Sequence, residues 1–323
     1  MNSRLLIILG PTSTGKTDVA LDLAKKFNGE LVSCDSRQVY KGLDIGTGKL
    51  PGLEVKVEKH DNYWILDNIK VWMYDVVDFK KQYTVFDYVN QAKKIIEDIE
   101  SRNKLPIIVG GSGLYLKGLL FGFDNLNIPI DEKLRKELEK LSLEQMQYKL
   151  KTLALGKWRA LNNSDKQNPR RLVRAIELTI LSAKEIRKTD NGLGDLFNTL
   201  KIGLTATKEN LFIRSDKRVV LRMQAGMIGE AEKLHKKGLT FSRMKQLGLE
   251  YGLLSEYLQN QIKEEQELIE KIQIKIHQYI KRQLVWFKKE EQVVWFDIAQ
   301  SNYLKGLEKE VDRWYHQADG AKN

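Results

Sequence analysis

Leu5-Leu6-Ile7-Ile8-Leu9-Gly10-Pro11-Thr12-Ser13-Thr14-Gly15-Lys16-Thr17 is the stretch that decides the fold. Five consecutive apolar residues ending at a glycine predict a short strand buried on both faces. Residues 18–27, past the loop, carry a helical pattern. Between strand and helix, two glycines separated by four residues and followed by Lys-Thr fit the phosphate-loop pattern in full. Backbone N–H groups of such a loop surround phosphate oxygens, and the helix N-terminus adds partial positive charge. Gly10, Pro11, Thr12, Ser13, Thr14, Gly15, Lys16 and Thr17 are therefore the expected phosphate-binding residues, with the Thr17 hydroxyl placed to ligate Mg2+.

Short apolar runs recur at 30–33, 105–109 and 201–204, with helical stretches between them, for example at 85–99. Strands alternating with helices predict an α/β fold: a mostly parallel sheet covered by helices on both faces. No strand-like run occurs between about 125 and 200. Instead, leucines at 134, 138, 141 and 150 form a helical stripe among Lys and Glu, and 170–186 is helical in pattern after Pro169. The expected organisation is a core of residues 1–122 and 198–323 carrying a helical insertion at 123–197. The core is expected to be helical again after Leu211, up to a strand at 293–296, with a frayed tail at 319–323.

The chain has 323 residues, 42% hydrophobic and 30% charged, enough to fill a sizeable core. Its net charge of +11 fits a polyanionic partner or, equally, a lysine-rich background with no partner. One cysteine, Cys34, excludes an intrachain disulfide and a multi-cysteine zinc site. No apolar run is long enough for a membrane span, so no membrane partner is expected and the expected compartment is the cytoplasm. No pattern demands a dimer, and a monomer is expected.

Two further segments lie at strand ends, where open parallel sheets bind ligands. After the second strand comes Asp35-Ser36-Arg37-Gln38-Val39-Tyr40, in which Asp35 suits a general base or a carboxylate holding Mg2+ through water, or else a helix cap. After the strand at 105–109 comes Gly110-Gly111-Ser112-Gly113, which allows close backbone approach to a ligand and offers a hydroxyl. Near the C-terminus, Lys281, Arg282, Lys288 and Lys289 are interleaved with Tyr279, Trp286 and Phe287, a pattern suited to RNA backbone contact and stacking or to an ordinary amphipathic helix. Arg170, Arg171 and Arg174 carry the same two meanings.

These segments together resemble the tRNA dimethylallyltransferase (tRNA isopentenyltransferase) family. The similarity extends through Lys41-Gly42-Leu43-Asp44-Ile45-Gly46-Thr47-Gly48-Lys49, Asn168–Glu177, the paired Arg214 and Arg218, and Lys281-Arg282-Gln283-Leu284-Val285-Trp286-Phe287, so it runs from about residue 5 to residue 296. The resemblance implies transfer of a dimethylallyl group from dimethylallyl diphosphate to N6 of an adenine 3′ of the tRNA anticodon, at position 37. It implies Asp35 as general base, Ser112 and Arg218 as further catalytic groups at the diphosphate, and Mg2+ as cofactor. It also implies a tRNA-contacting set: Ser36, Arg37, Gln38, Val39 and Tyr40 around the flipped base, and Arg170, Arg174, Lys281, Arg282 and Gln283. The sequence departs from the family pattern in three places. Val71-Trp72 stands where a His-His pair is usual, Ser112 replaces a threonine, and Gly248-Leu249-Glu250-Tyr251-Gly252 lacks the basic residue usual in that stretch. A P-loop small-molecule kinase and a prenyltransferase acting on free AMP or ATP share the phosphate loop and differ in acceptor. A nucleic-acid-binding protein with a vestigial site is a third class, and the retained Lys16, Thr17 and Asp35 argue against it.

Overall fold

The computed structural model describes residues 3–50, 55–123, 128, 130–182, 192–194 and 196–317. The chain divides into two compact units, Met1–Leu120 with Leu193–Asn323, and Phe121–Gly192. The first unit opens with β1 (Arg4–Leu9), the phosphate loop, α1 (Lys16–Lys26) and β2 (Gly29–Cys34). A meander of β3 (Val57–His60), β4 (Tyr63–Leu66) and β5 (Ile69–Trp72) follows, then α2 (Val85–Ser101), β6 (Leu105–Gly110) and α3 (Gly113–Phe121). The second unit holds α4 (Glu132–Leu138), α5 (Leu143–Leu153), α6 (Leu155–Ala160), α7 (Asn163–Lys166) and α8 (Pro169–Ser182). The chain re-enters the first unit at β7 (Asn198–Thr205). There α9 (Lys208–Gln224), α10 (Met227–Lys236), α11 (Phe241–Leu247), α12 (Leu249–Leu258) and α13 (Glu265–Phe287) precede β8 (Val293–Asp297) and α14 (Tyr303–His316).

The eight strands among the described residues form one sheet in the order β3-β4-β5-β2-β6-β1-β7-β8. Every pairing from β5 to β8 is parallel, and the β3–β4 and β4–β5 pairings are antiparallel. This matches the α/β expectation and adds an antiparallel edge that the apolar runs did not announce. Alternation along β1 divides its side chains between two faces. Leu6 and Ile8 join a core with Val19 and Leu23 of α1, Ile107, Ile202, and Leu307 and Trp314 of α14. Leu5, Ile7 and Leu9 are equally buried and point the other way. A second core gathers α9–α13 around Val39, Tyr40 and Leu43.

In the second unit, Leu138, Met146, Leu150, Leu172, Val173 and Ile176 form a small core of their own. Fully buried Glu177 is tied by both oxygens to Arg135 (2.8 and 2.7 Å), and Arg174 also donates to it at 2.6 Å. Burial works to raise the Glu177 pKa, but hydrogen bonds from Arg135 and Arg174 bring it below the usual carboxylate range. The single helical stripe expected from 131 to 150 is two helices, because Ser142 starts α5 with a capping box whose side chain accepts from the Gln145 N–H. The unit ends before the expected residue 197. Leu193 and Gly194 already donate their N–H groups to the carbonyls of Leu119 and Leu120, both at 2.9 Å. The expected helical residues 183–186 and the tail at 319–323 lie outside the described residues.

Candidate active site

The parallel strands β1, β2 and β6 deliver three turns to the same sheet edge, and the turns enclose a cavity of about 420 Å3. The turn after β1 is possible only because residue 10 is glycine. Its φ is +141°, and a Cβ there would sit 2.2 Å from the Leu204 carbonyl oxygen of β7. The loop then braces itself. Thr14 Oγ1 donates to the Pro11 carbonyl at 2.9 Å, and Arg214 Nε donates to the Ser13 carbonyl at 2.8 Å. Thr12, Ser13, Gly15, Lys16 and Thr17 line the cavity, whereas Gly10, Pro11 and Thr14 shape the loop without lining it.

Lys16 Nζ donates to the Pro11 carbonyl at 2.7 Å. Burial, and then the neighbouring Arg218 cation, lower its pKa to about 7, while Asp35 acts in the opposite direction. Arg218, on α9, is likewise lowered to about 10 by burial and by Arg222. Seven Lys and Arg side chains line the cavity against the carboxylates Asp18, Asp35 and Glu250, so the space is electrostatically built for a polyanion. Three of the cations, Arg214, Arg218 and Arg222, come from one face of α9 at a spacing of four residues. That periodicity is present in the sequence, although the family resemblance marks only the first two.

Asp35 lines the cavity directly after β2. Its Oδ1 accepts the backbone N–H groups of Arg37 (2.8 Å) and Gln38 (3.4 Å), and its Oδ2 has no hydrogen-bond partner among the described residues. Gln38 also lines the cavity, with Oε1 accepting from Ser33 Oγ at 2.7 Å and Nε2 making long bonds to the carbonyls of Thr47 and Gly48 (3.5 and 3.4 Å). Ser112 is not among the lining residues. Its Oγ accepts the Ser36 N–H at 3.1 Å, so it buttresses the Asp35 turn.

Several residues expected to touch a nucleic acid are occupied otherwise. Val39 is fully buried and Tyr40 is 5% exposed; both belong to the core under α9–α13, so their side chains offer no surface. Gln283 is a clasp: its Oε1 accepts the Thr12 N–H at 2.9 Å and its Nε2 donates to the Gly111 carbonyl at 3.0 Å, joining the phosphate loop to the β6 turn. Arg174 serves the buried Glu177 and the Ile128 carbonyl inside the second unit. Arg170 is exposed on α8, and Lys281 and Arg282 are exposed on α13, Lys281 above the Phe212 ring and Arg282 beside that of Tyr279. Arg37 lines the cavity, its guanidinium paired with Glu250.

Arg222 and Glu250, to which sequence reasoning assigns no site role, line the cavity, as do Tyr279, read there only as part of the basic–aromatic pattern, and the loop residues Thr47 and Gly48, read only as part of the family-like stretch. That loop is held by a single carboxylate. Glu230 of α10 accepts the N–H groups of Asp44, Ile45 and Gly46 at 3.0, 2.7 and 3.0 Å and the Tyr251 hydroxyl at 2.6 Å.

Fold and site together define a P-loop α/β protein whose cavity is lined by a carboxylate after β2 and by a cluster of Lys and Arg side chains from the loop and α9. The model of the IPP transferase family matches residues 38–290. The chain is 38% identical over 293 residues to tRNA dimethylallyltransferase 2 of Treponema denticola, covering 88% of this chain and 92% of that protein. It is 34% identical over 311 residues to the tRNA dimethylallyltransferase of Halothermothrix orenii, covering 94% and 90%. The crystal structure of the tRNA isopentenylpyrophosphate transferase of Bacillus halodurans superposes with a TM-score of 0.69 at 30% identity, covering 97% of this chain and 96% of that one. The chain therefore belongs to the IPP transferase family.

Proposed function

We propose that the protein transfers a dimethylallyl group from dimethylallyl diphosphate to N6 of the adenine at position 37 of tRNA, releasing diphosphate. The observation that carries this is one cavity lined both by Asp35 and by the phosphate loop with Lys16, Arg214 and Arg218. In the reaction the adenine N6 forms a bond to the allylic carbon. The carbon–oxygen bond to diphosphate breaks with its electron pair leaving on the phosphate oxygen, and the N6 proton passes to Asp35 Oδ2. An exocyclic amine is a weak nucleophile, so a carboxylate directed at its proton contributes on that side. Lys16 and Arg218 meet the charge that develops on the leaving group.

Mg2+ fits the donor set. No group of three or more His, Cys, Asp or Glu residues suited to hold a metal exists among the described residues. Mg2+ is commonly bound by a hydroxyl or a single carboxylate plus substrate phosphates and water. Thr17 would hold it beside the diphosphate, where it would supply charge neutralisation. A base stacked in an RNA loop must leave its stack to reach this cavity. The long bonds of Gln38 Nε2 to Thr47 and Gly48 are the ones most readily exchanged for the base edge. Exposed Lys281, Arg282 and Arg170 are the remaining candidates for phosphate-backbone contacts. No helix among the described residues is long and apolar enough to cross a membrane.

Single-turnover transfer of labelled prenyl group to unmodified tRNA tests the assignment. Lys16→Met and Asp35→Asn are expected to lose transfer while keeping the wild-type unfolding temperature. Near-normal transfer by both variants would remove the site from the reaction.

A further inference from the structure

Glu250, on α12, lies 2% exposed in the cavity wall between two cations. Its Oε2 pairs with Arg37 Nη1, and its Oε1 accepts from Arg222 Nη1 at 2.9 Å. Arg222 has a second acceptor in the Gly46 carbonyl at 3.1 Å. Arg37 is differently placed. Its backbone N–H is fixed to Asp35 Oδ1, and Glu250 is the acceptor of its guanidinium. Beyond that pair, the guanidinium lies 6.0 Å from the centroid of the Tyr279 ring.

A guanidinium stays charged in a protein, so a largely buried one needs a counter-charge. The carboxylates acting on Arg37 are Glu250 first and Asp35 next. Asp35 is only two residues away in the same turn, and an arginine pairing with its carboxylate would hold it deprotonated and occupied. We propose that Glu250 is a positioning residue: it draws the Arg37 guanidinium away from Asp35 and so leaves that carboxylate free to accept a proton. The proposal rests on Asp35 being the base of the reaction described above.

The other groups around Asp35 leave a clear readout. Facing it are Lys16 of α1, Cys34 of β2, Tyr74, Tyr115 of α3 and Tyr279 of α13. Burial raises Cys34 and Tyr279 to about 12 and raises Tyr74 and Tyr115 as well, so these four stay neutral across the working range. Lys16, lowered to about 7 by burial, loses its charge on the alkaline side. Glu250 itself faces Arg37, Arg222, Arg218, Tyr251 and Tyr279. Asp18 also lines the cavity and is raised by burial, so the Asp35→Asn profile identifies the part of the acid limb that depends on Asp35.

The test is the pH profile of single-turnover prenyl transfer for wild type, Asp35→Asn, Glu250→Gln, Arg37→Gln and the Arg37→Gln/Glu250→Gln double variant. Glu250→Gln is expected to move the acid limb down by about one pH unit or more, as an opposite charge within a few ångströms does. It is also expected to slow transfer at least about tenfold, part of what a positioned base supplies. In the Arg37→Gln background the same substitution should leave the limb where Arg37→Gln alone puts it. The double variant removes the Arg37 cation and leaves Arg222 with the Gly46 carbonyl alone, and a limb that moves between Arg37→Gln and the double variant overturns the proposal even if Glu250→Gln does not fold. A limb displaced by Glu250→Gln equally in both backgrounds, or in neither, overturns the proposal. Retained transfer in Asp35→Asn would instead overturn the assignment of the base.

Discussion

Lys16 gives the sharpest quantitative consequence of the site. Burial and Arg218 lower its pKa to about 7 with the cavity free of ligand. A diphosphate seated in the loop favours the ammonium and so raises that pKa. The sign follows: binding takes up a proton wherever free Lys16 is neutral, that is, above about pH 7. With a free-state pKa of about 7, uptake at this residue is ~0.1 proton at pH 6, ~0.5 at pH 7 and ~0.9 at pH 8. Affinity therefore falls by up to about tenfold per pH unit on the alkaline side. Isothermal calorimetry with inorganic diphosphate and Mg2+, in buffers of differing ionisation enthalpy, measures the uptake directly. Lys16→Arg is the reference, because its guanidinium stays charged throughout. The difference between wild type and Lys16→Arg cancels the ligand's own protonation. If the two proteins take up the same number of protons at pH 8, Lys16 is not the lowered group and the account of the cradle fails.

Three other consequences are checked more simply. Asp35→Asn should slow prenyl transfer by roughly 10²- to 10⁴-fold, the contribution of a positioned base, while diphosphate affinity stays within about threefold of wild type. Glu230→Ala leaves the N–H groups of Asp44, Ile45 and Gly46 and the Tyr251 hydroxyl without their common acceptor, and urea unfolding should show a loss of about 2–4 kcal/mol. Charge reversal at Lys281 and Arg282 should weaken tRNA binding and reduce the slope of log affinity against log salt by about one for each phosphate no longer neutralised. An unchanged slope would make that helix face an ordinary solvated surface.

The parts of the fold written in contiguous sequence were legible. Strand β1, its loop and α1 follow from the contiguous residues 5–27, and β6 with its glycine turn follows in the same way. The meander was not legible, because β3, β4 and β5 have four residues each and Val57-Glu58-Lys59-His60 has neither an apolar run nor a buried face. Within the motif after β2, adjacency could not tell which side chains turn inward. Asp35, Arg37 and Gln38 line the cavity, and Val39 and Tyr40 pack into the core of the C-terminal helices.

The hardest features to read were pairings across long sequence separations. Glu250 meets Arg37 from 213 residues away, and Gln283 spans 271 residues to Thr12. In sequence, Glu250 stood out only as part of a stretch missing a basic residue. Its role becomes visible once α12 is packed beside α13 and its carboxylate reaches Arg222 of α9. The motif after β2 and the aromatic run near the C-terminus marked the right neighbourhoods, but the hydrogen-bond partners that divide a clasp from a binding surface exist only in the fold.

The most direct test of the central claim is where the prenyl label goes. Purified protein, Mg2+ and labelled dimethylallyl diphosphate are incubated with unmodified tRNA, with AMP and ATP as parallel acceptors. The account predicts label in tRNA, on the adenine 3′ of the anticodon, and none in the free nucleotides. Label in AMP or ATP alone, or no transfer to any acceptor, would contradict it.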